Sequence, residues 1–464
     1  MLMPESFKEY TESVCRQLRW KKARPVIGRE IGAHLCDQRD ALMKSGMDED
    51  TAAREAIRQM GNAVEIGMEL DRVHRPKPQW GMLAATAALL MIGLLIRLFI
   101  FNDEDRSGLL SVRLFYTAVG IAVMLIAYFL DFSLLGKYPK TVYFSVVALS
   151  IAGFCVSYTV NGQSFYTQYI TLLFPLSFSA IIFAARNKGY GGIILSGLAF
   201  TLLAFIAICV PSVSGLLLFA IAGMVLLNVA VYRRWFDVKR THRFLLMLIP
   251  AVLLIAAFFL FMRTRGDHLW NRLAVALNPS LDPNGTGYLG NMTRALLSGA
   301  NLFGMGNVPE SYRTLLMEPI DLFQTDLILT ALTSLLGWMA FAVIMIALLF
   351  FILKGFSLCF KQKSSLGLFV SLSIMITLTM QVLGYVLFNL GFQFSAPISL
   401  PLISFGNTAT VVNLGLIGFM LSVFRTGDIV KDEPMAYKNN KLLSRFLSWD
   451  NGKLTIDFKV HERY

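Results

Sequence analysis

The chain has 464 residues, of which 55% are hydrophobic, 36 are Phe and only 16% are charged. This balance excludes an ordinary soluble domain and puts most of the chain in lipid. The net charge of +12 falls mainly in segments expected to face the cytoplasm, so anionic headgroups account for it and no nucleic acid partner is expected.

Residues 1–78 are polar and read as a small cytoplasmic helical head. In "RPVIGREIGAHLCDQRDALMKSG" the residues Val26, Ile27, Ile31, Leu35 and Leu42 fall near one helical face, and Gly46 ends the pattern. Asp48 is placed to cap the next helix, "EDTAAREAIRQMG". His34 and His74 match no metal-ligand spacing and read as solvated or helix-packed. Too late and too long for a cleavable signal peptide, the first apolar stretch reads as a membrane span.

A bilayer core of about 30 Å asks for roughly 20 apolar residues per helix. Ten stretches qualify: 81–101, 112–132, 142–160, 166–185, 191–210, 214–231, 244–262, 327–353, 366–388 and 408–424. "VPSVS" is the only break between the fifth and sixth, which leaves room for a merged or re-entrant pair. The expected fold class is therefore all-α, a polytopic membrane protein of about ten helices spanning 79–428, with a tail at 429–464.

Lys and Arg set the orientation, because cationic loops stay on the cytoplasmic side. "GKYPK", "RNKG", "YRRWFDVKRTHR" and "KGFSLCFKQKSS" alternate with "NDEDRSG", "NGQSF", "PSVS" and "GFQFSAPISLPLISFG". Both termini are expected in the cytoplasm, while 263–325 and 389–407 face outward. None of the five cysteines falls in an outer loop, so no disulfide framework is expected.

The long 263–325 segment has the composition of a functional loop rather than a linker. Leu273, Val275, Leu277, Met292, Leu296 and Leu297 give it amphipathic character, with Trp270 and Tyr288 suited to headgroup depth. Its glycines, among them Gly299, Gly304 and Gly306, supply tight turns. At its end stands Asp326, a single carboxylate heading a run without charge until Lys354. Asp also caps helices, so a purely structural role is the competing reading. In "SAPISLPLISFGN", Pro397, Pro401, Ser404 and Gly406 form an irregular strip that can sit at membrane depth only if buried or lining a cavity.

Taken in order, these motifs resemble the SEDS family of shape, elongation, division and sporulation proteins, typified by FtsW, RodA and SpoVE. The resemblance rests on "NRLAVALNP", "GYLGNMTRALLSGANLFGMG", "TDLILTALTSLLGW" and "FNLGFQFSAPISLPLISFGNTA". The head, through "SGMDEDTAAREAIRQMGN", resembles the helical prefix domain of some bacterial permeases, which implies a docking or regulatory module.

The resemblance implies a peptidoglycan glycosyltransferase that polymerises lipid II on the outer face of the bacterial cytoplasmic membrane, releases undecaprenyl diphosphate and works beside a class B penicillin-binding transpeptidase. It places the essential acid on Asp326, which would take a proton or hold a divalent cation, Mg or Mn. The substrate-binding residues it implies are Arg272, Tyr288, Gly299, Gly304, Gly306, Thr325, Asn389, Pro401, Ser404 and Gly406. Cations for a departing diphosphate would come from Arg263, Arg265, Arg272, Arg294 and Arg313, with Arg272 favoured by its motif.

The chain departs from the family pattern at several points. Ser334 and Leu335 stand where a Glu pair is usual, Met305 replaces a Lys, "SFGNTA" replaces a Gly- and Ser-rich stretch, and Ser212 stands for an acid in "VPSVSG". The usual acidic Pro-Glu before the Thr-Asp pair is displaced, with Pro309 and Glu310 upstream and Glu318, Pro319 and Asp321 nearer. A specialised, divergent member is expected. Two other classes fit a polytopic chain: a non-catalytic scaffold that recruits a transpeptidase, and a lipid-linked-precursor flippase. The flippase would carry ionisable groups at mid-membrane, of which the spans are nearly free.

Overall fold

The computed structural model describes residues 4–21, 23–99, 107–160, 163–210, 212–236, 238, 242, 259, 267–317, 321–404, 406–427, 447–450 and 453–456. Four short helices come first: α1 (Glu5–Gln17), α2 (Arg24–Lys44), α3 (Glu49–Met60) and α4 (Ala63–His74). They enclose their own core of Phe7, Tyr10, Val14, Ile27, Ile31 and Leu35, with Leu42 packed at its edge. Val26 is only half-buried and stands outside that core. Gly46 turns the chain at φ +99°, and the Asp48 carboxylate caps α3 by accepting from the Thr51 amide at 3.1 Å. The Thr51 hydroxyl, together with that amide, holds the Asp48 carboxyl below the usual carboxylate range by donating to it.

The membrane region follows as α5 (Trp80–Phe99), α6 (Ser107–Phe129), α7 (Ser133–Lys137) and α8 (Pro139–Val156), then a small hairpin of β1 (Thr159–Val160) and β2 (Gln163–Ser164). Next come α9 (Phe165–Ile170), α10 (Phe174–Ala185), α11 (Gly189–Cys209) and α12 (Val213–Tyr232). After these lie α13 (Asp267–Leu277), α14 (Tyr288–Ser298), α15 (Glu310–Met317), α16 (Asp321–Thr325), α17 (Ile328–Leu336), α18 (Trp338–Phe360), α19 (Ser365–Asn389) and α20 (Asn407–Thr426).

Among the described residues, eight helical stretches are long and apolar enough to cross a membrane, and the apolar part of α6, Leu114–Phe129, is shorter. Of the expected seventh span, 244–262, only Phe259 is described, and Arg263 and Arg265 lie outside the described residues. The fifth and sixth spans are separate helices. Ser212 ends the link between them by capping α12, its hydroxyl accepting from the Gly215 amide.

Two expected spans are broken. Within 165–185, α9 and α10 are joined by a 3₁₀ turn at Thr171–Leu173, because Pro175 has no N–H to offer the Thr171 carbonyl. The expected 327–353 span divides at Gly337, whose φ of +92° separates α17 from α18. Only Gly takes that conformation without strain, so Asp326 precedes a short buried half-helix rather than the spanning helix.

Helix α19 runs through the middle of the bundle, buried along most of its length, against α10, α12, α18 and α20. Its hydroxyls are satisfied within the helix: Ser371 donates to Gly367, Ser373 to Val370 and Thr377 to Ser373. Helices α6 and α20 cross closely because Gly418 presents no side chain to the Met124 carbonyl, where a Cβ would stand 2.2 Å away. Residues 432–464 form a second compact unit. Its described part is an antiparallel hairpin of β3 (Leu447–Asp450) and β4 (Lys453–Ile456), in which Trp449 pairs with Leu454.

Candidate active site

Asp326 occupies the turn between α16 and α17, with its amide donating to the Leu322 carbonyl at 3.0 Å. The first amides of α17 have no partner inside that helix, and its N-cap residue, Leu327, has no side chain able to accept. Helix α19 supplies the missing acceptors. The Ile328 amide donates to the Tyr385 hydroxyl at 3.3 Å, and the Thr330 amide donates to Asn389 Oδ1 at 3.0 Å.

The same two side chains also donate to the chain around the acid. The Tyr385 hydroxyl donates to the Thr325 carbonyl at 2.5 Å, and Asn389 Nδ2 donates to the Asp326 carbonyl at 2.8 Å. Tyr385 is fully buried, and Asn389 is 1% exposed. Asp326 is thus flanked on both sides by main-chain bonds to one rigid helix.

Its carboxyl is pushed up to about 6 by burial, which disfavours the ionised form, while a hydrogen bond from the Thr325 side chain works in the opposite sense. Tyr169, on α9, is also buried. Tyr169 leads on to Gly406, where a Cβ would stand 3.9 Å from the tyrosine oxygen. Thr325, Asp326 and Asn389 gather in one region, as residues so distant in sequence do only through the fold, and Gly406 packs beside Tyr169.

The other candidates are placed differently. Pro401 and Ser404 are buried, and the Ser404 hydroxyl closes a turn by accepting from the Leu400 amide at 2.9 Å. That loop presses on α5 where Gly93 leaves space, a Cβ there standing 2.8 Å from the Leu402 carbonyl. A buried triad fastens it to the bundle: Ser399 donates to Gln381 Oε1 at 3.0 Å, and Asn413 Nδ2 donates to Ser399 at 3.1 Å.

Gly299 and Gly306 are points of close backbone packing. The Asn307 amide donates to the Gly299 carbonyl at 2.7 Å, and the Gly306 amide to the Ser334 carbonyl at 3.0 Å. Gly304 turns at φ +72° and donates to the Leu336 carbonyl. This segment wraps the α17–α18 break, with Trp338 and Met339 amides donating to Asn301 and Leu302. Ser334 and Leu335, at the positions of the family's Glu pair, are a buried hydroxyl bonded to Thr330 and an apolar contact of the Met292, Leu296 and Phe323 cluster.

Of the cations, Arg272 on α13 and Arg313 on α15 are exposed, as is Tyr288 at the start of α14. Arg294 is bound in place: it donates to the Leu277 carbonyl at 3.0 Å and the Gly391 carbonyl at 3.2 Å, and lies over the Phe392 ring. It ties α13 and α14 to the turn that ends α19. Tyr385 and Tyr169 were not among the sequence candidates. A signal for Tyr385 existed, since it stands four residues before Asn389 and so on the same helical face.

Among the described residues, no three His, Cys, Asp or Glu side chains converge to hold a metal. Asp326 alone, with neighbouring carbonyls already accepting hydrogen bonds, cannot cage a cation. One carboxylate does suit Mg²⁺, which commonly completes its shell with water and substrate phosphates.

Fold and site together define a polytopic membrane protein with a half-buried carboxylate held at a helix break. Residues 79–428 match the FTSW_RODA_SPOVE family of cell cycle proteins, and the chain belongs to that family. It is similar to the probable peptidoglycan glycosyltransferase FtsW of Geobacter metallireducens, 26% identical over 172 residues, which are 37% of this chain and 45% of that protein. It is also similar to the peptidoglycan glycosyltransferase MrdB of Escherichia coli K12, 25% identical over 37% of this chain and 47% of the relative. The chain thus aligns with about half the length of these relatives.

Two solved structures share the fold. One comes from work on polymerization and crosslinking by a peptidoglycan synthase complex, with a TM-score of 0.58 and 18% identity, covering 76% of this chain and 99% of that one. The other is the rod shape determining protein RodA of Thermus thermophilus, with a TM-score of 0.51 and 14% identity, covering 76% and 98%.

Proposed function

We propose that this chain is a peptidoglycan glycosyltransferase that polymerises lipid II at the outer face of the bacterial cytoplasmic membrane. The observation that carries the reading is Asp326: one carboxylate, poised near neutrality and held by main-chain bonds on both flanks at the end of a membrane bundle. A sugar hydroxyl that attacks an anomeric carbon must lose its proton as the new C–O bond forms and the bond to the diphosphate breaks. A carboxylate whose pKa lies near the working pH is suited to take that proton. Family membership and the names of the relatives point to the same chemistry.

Exposed Arg272 and Arg313 supply positive charge for the departing undecaprenyl diphosphate. Asp326 is the residue that would hold Mg²⁺ or Mn²⁺, which would supply charge neutralisation for the departing diphosphate. A class B penicillin-binding transpeptidase is the partner we infer, and the fold's likeness to a chain of a synthase complex supports it. Both termini lie in the cytoplasm, residues 263–325 form the large outer loop, and the head at 1–78 serves as a docking module separate from the tail at 429–464.

The test uses purified full-length protein, fluorescent lipid II, a divalent cation and a transpeptidase partner. Glycan ladders that form with wild type and vanish with a folded Asp326→Ala support the reading; equal ladders from both remove it. A second reading, a non-catalytic scaffold, is favoured by one observation, the replacement of the family's Glu pair by a buried Ser334 and a half-buried Leu335. It predicts transpeptidase binding with no ladder from wild type under any cation.

A further inference from the structure

We propose that Tyr385 and Asn389 are positioning residues that hold the Asp326 carboxylate at the point of proton transfer by gripping the main chain on either side of it. The inference rests on the glycosyltransferase reading and reassigns Asn389, which the family resemblance would make a substrate contact.

Hydrogen-bond capacity separates the two roles. A side-chain amide offers two N–H donors and an oxygen with two lone pairs. In Asn389 both donors are engaged, Nδ2 donating to the Asp326 and Tyr385 carbonyls, while Oδ1 accepts from the Thr330 amide and shares the single Thr330 hydroxyl proton with the Asn389 carbonyl. No donor remains for a sugar, and at 1% exposure the side chain is out of a sugar's reach. The Tyr385 hydroxyl both donates to Thr325 and accepts from Ile328, with its ring fully buried.

The bonds fall at Thr325, Asp326, Ile328 and Thr330, bracketing the acid within six residues of chain. Asp326 has no regular helix of its own to fix it, because α16 ends at Thr325 and α17 starts at Ile328. A proton acceptor must stay within hydrogen-bond reach of its donor, and a displacement of about 1 Å can cost a hundredfold in rate. Two residues one turn apart on the most buried helix of the bundle provide that rigidity. Both act through Asp326 and neither touches substrate.

The experiment compares full-length wild type with Tyr385→Phe and Asn389→Asp in proteoliposomes. The Asn389→Asp variant keeps an acceptor for Thr330 and loses the donor to Asp326, so it carries the test if Tyr385→Phe does not fold. Two readouts are taken: kcat and KM for lipid II, and the rate at which dicyclohexylcarbodiimide modifies Asp326, followed by mass spectrometry. In the labelling step the protonated carboxyl adds across the carbodiimide, its proton passing to one nitrogen and its oxygen to the central carbon, and the resulting O-acylisourea rearranges by transfer of the acyl group from oxygen to nitrogen to give the stable N-acylurea.

The expected result is kcat lowered by about tenfold or more with KM within about twofold, and labelling of Asp326 faster by about threefold or more as the carboxyl leaves its fixed place. Wild-type kcat or wild-type labelling in the folded variants overturns the proposal. If wild type makes no glycan, the glycosyltransferase reading falls, and labelling alone decides the positioning role: accelerated in the variants it stands, unchanged it falls.

Discussion

Asn389 reaches from the last turn of α19 to the main-chain carbonyl of Asp326, its amide donating at 2.8 Å, while its oxygen accepts from the Thr330 amide on the far side of the acid. One side chain thereby caps a helix to which it does not belong. The ordinary N-cap sits in the same strand of chain as its helix; here the break before α17 is closed from a neighbouring span, so the acid and the membrane core become one mechanical unit.

The first prediction concerns the size of that unit's contribution. Asn389→Ala leaves the Asp326 carbonyl and the Thr330 amide without these partners in a buried setting, at about 1–3 kcal/mol for each group left unsatisfied. The variant should melt several degrees below wild type, while substitution of exposed Tyr288 by Ala leaves the midpoint within about one degree. Differential scanning fluorimetry in detergent measures both.

The second prediction follows from the Asp326 carboxyl, raised by burial to about 6 from an ordinary 3.8. A folded pKa above the unfolded one means that the native state binds more protons between the two values. Stability is therefore greatest below about 4 for this group and falls as pH rises through about 6, by about 3 kcal/mol in all. Asp326→Asn cannot ionise and escapes that loss. It should melt above wild type at pH 8, match it near pH 4, and make no glycan at either. Wild-type activity should rise with pH through about 6, since the carboxylate is the working form.

How far the sequence reaches is clearest from these residues. Apolar length alone placed the long helices, because a membrane imposes one dimension on every span. Asp326 stood out because a lone carboxylate before an uncharged run is unusual. The break after it was not legible: Gly337 occurs in a run apolar enough to continue, and only its φ of +92° shows that the helix stops. Nor was the grip of Tyr385 and Asn389, which depends on which face α19 turns toward α17, a matter of packing rather than periodicity. Pro401 and Ser404 read as either buried or lining a cavity because irregular backbone at membrane depth must be lodged somewhere; both are buried, in a loop that packs against α5.

The third prediction separates two glycines of the 299–307 segment. At Gly306 a Cβ would stand 2.3 Å from the Gly299 carbonyl oxygen, main chain that cannot move aside without dislodging the cover over α17. Gly306→Ala should cost about 2 kcal/mol or more. At Gly304, φ is +72° with nothing within 4 Å of a Cβ, and Asn tolerates that conformation. Gly304→Asn should change stability by about 1 kcal/mol or less. If glycan synthesis falls with Gly304→Asn at unchanged stability, the turn itself contacts substrate.

The fourth prediction tests how the segment before Asp326 is tied to the bundle. Arg294 donates to carbonyls at the end of α13 and in the turn after α19, Leu277 and Gly391, and rests over Phe392. A Cβ on Gly391 would stand 2.7 Å from the Arg294 side chain, and the glycine itself holds φ +85°, so the approach depends on both residues. Each guanidinium bond to a carbonyl is worth about 1.5–3 kcal/mol when partly buried. Arg294→Ala should therefore speed amide exchange across 288–298 while leaving exchange in α19 near wild type, because α19 is held by the whole bundle and α14 is held chiefly at its ends. Lys offers one charge without the planar fork and should recover only part of the protection. Exchange that rises equally in α14 and α19 would instead mean that Arg294 supports the bundle as a whole.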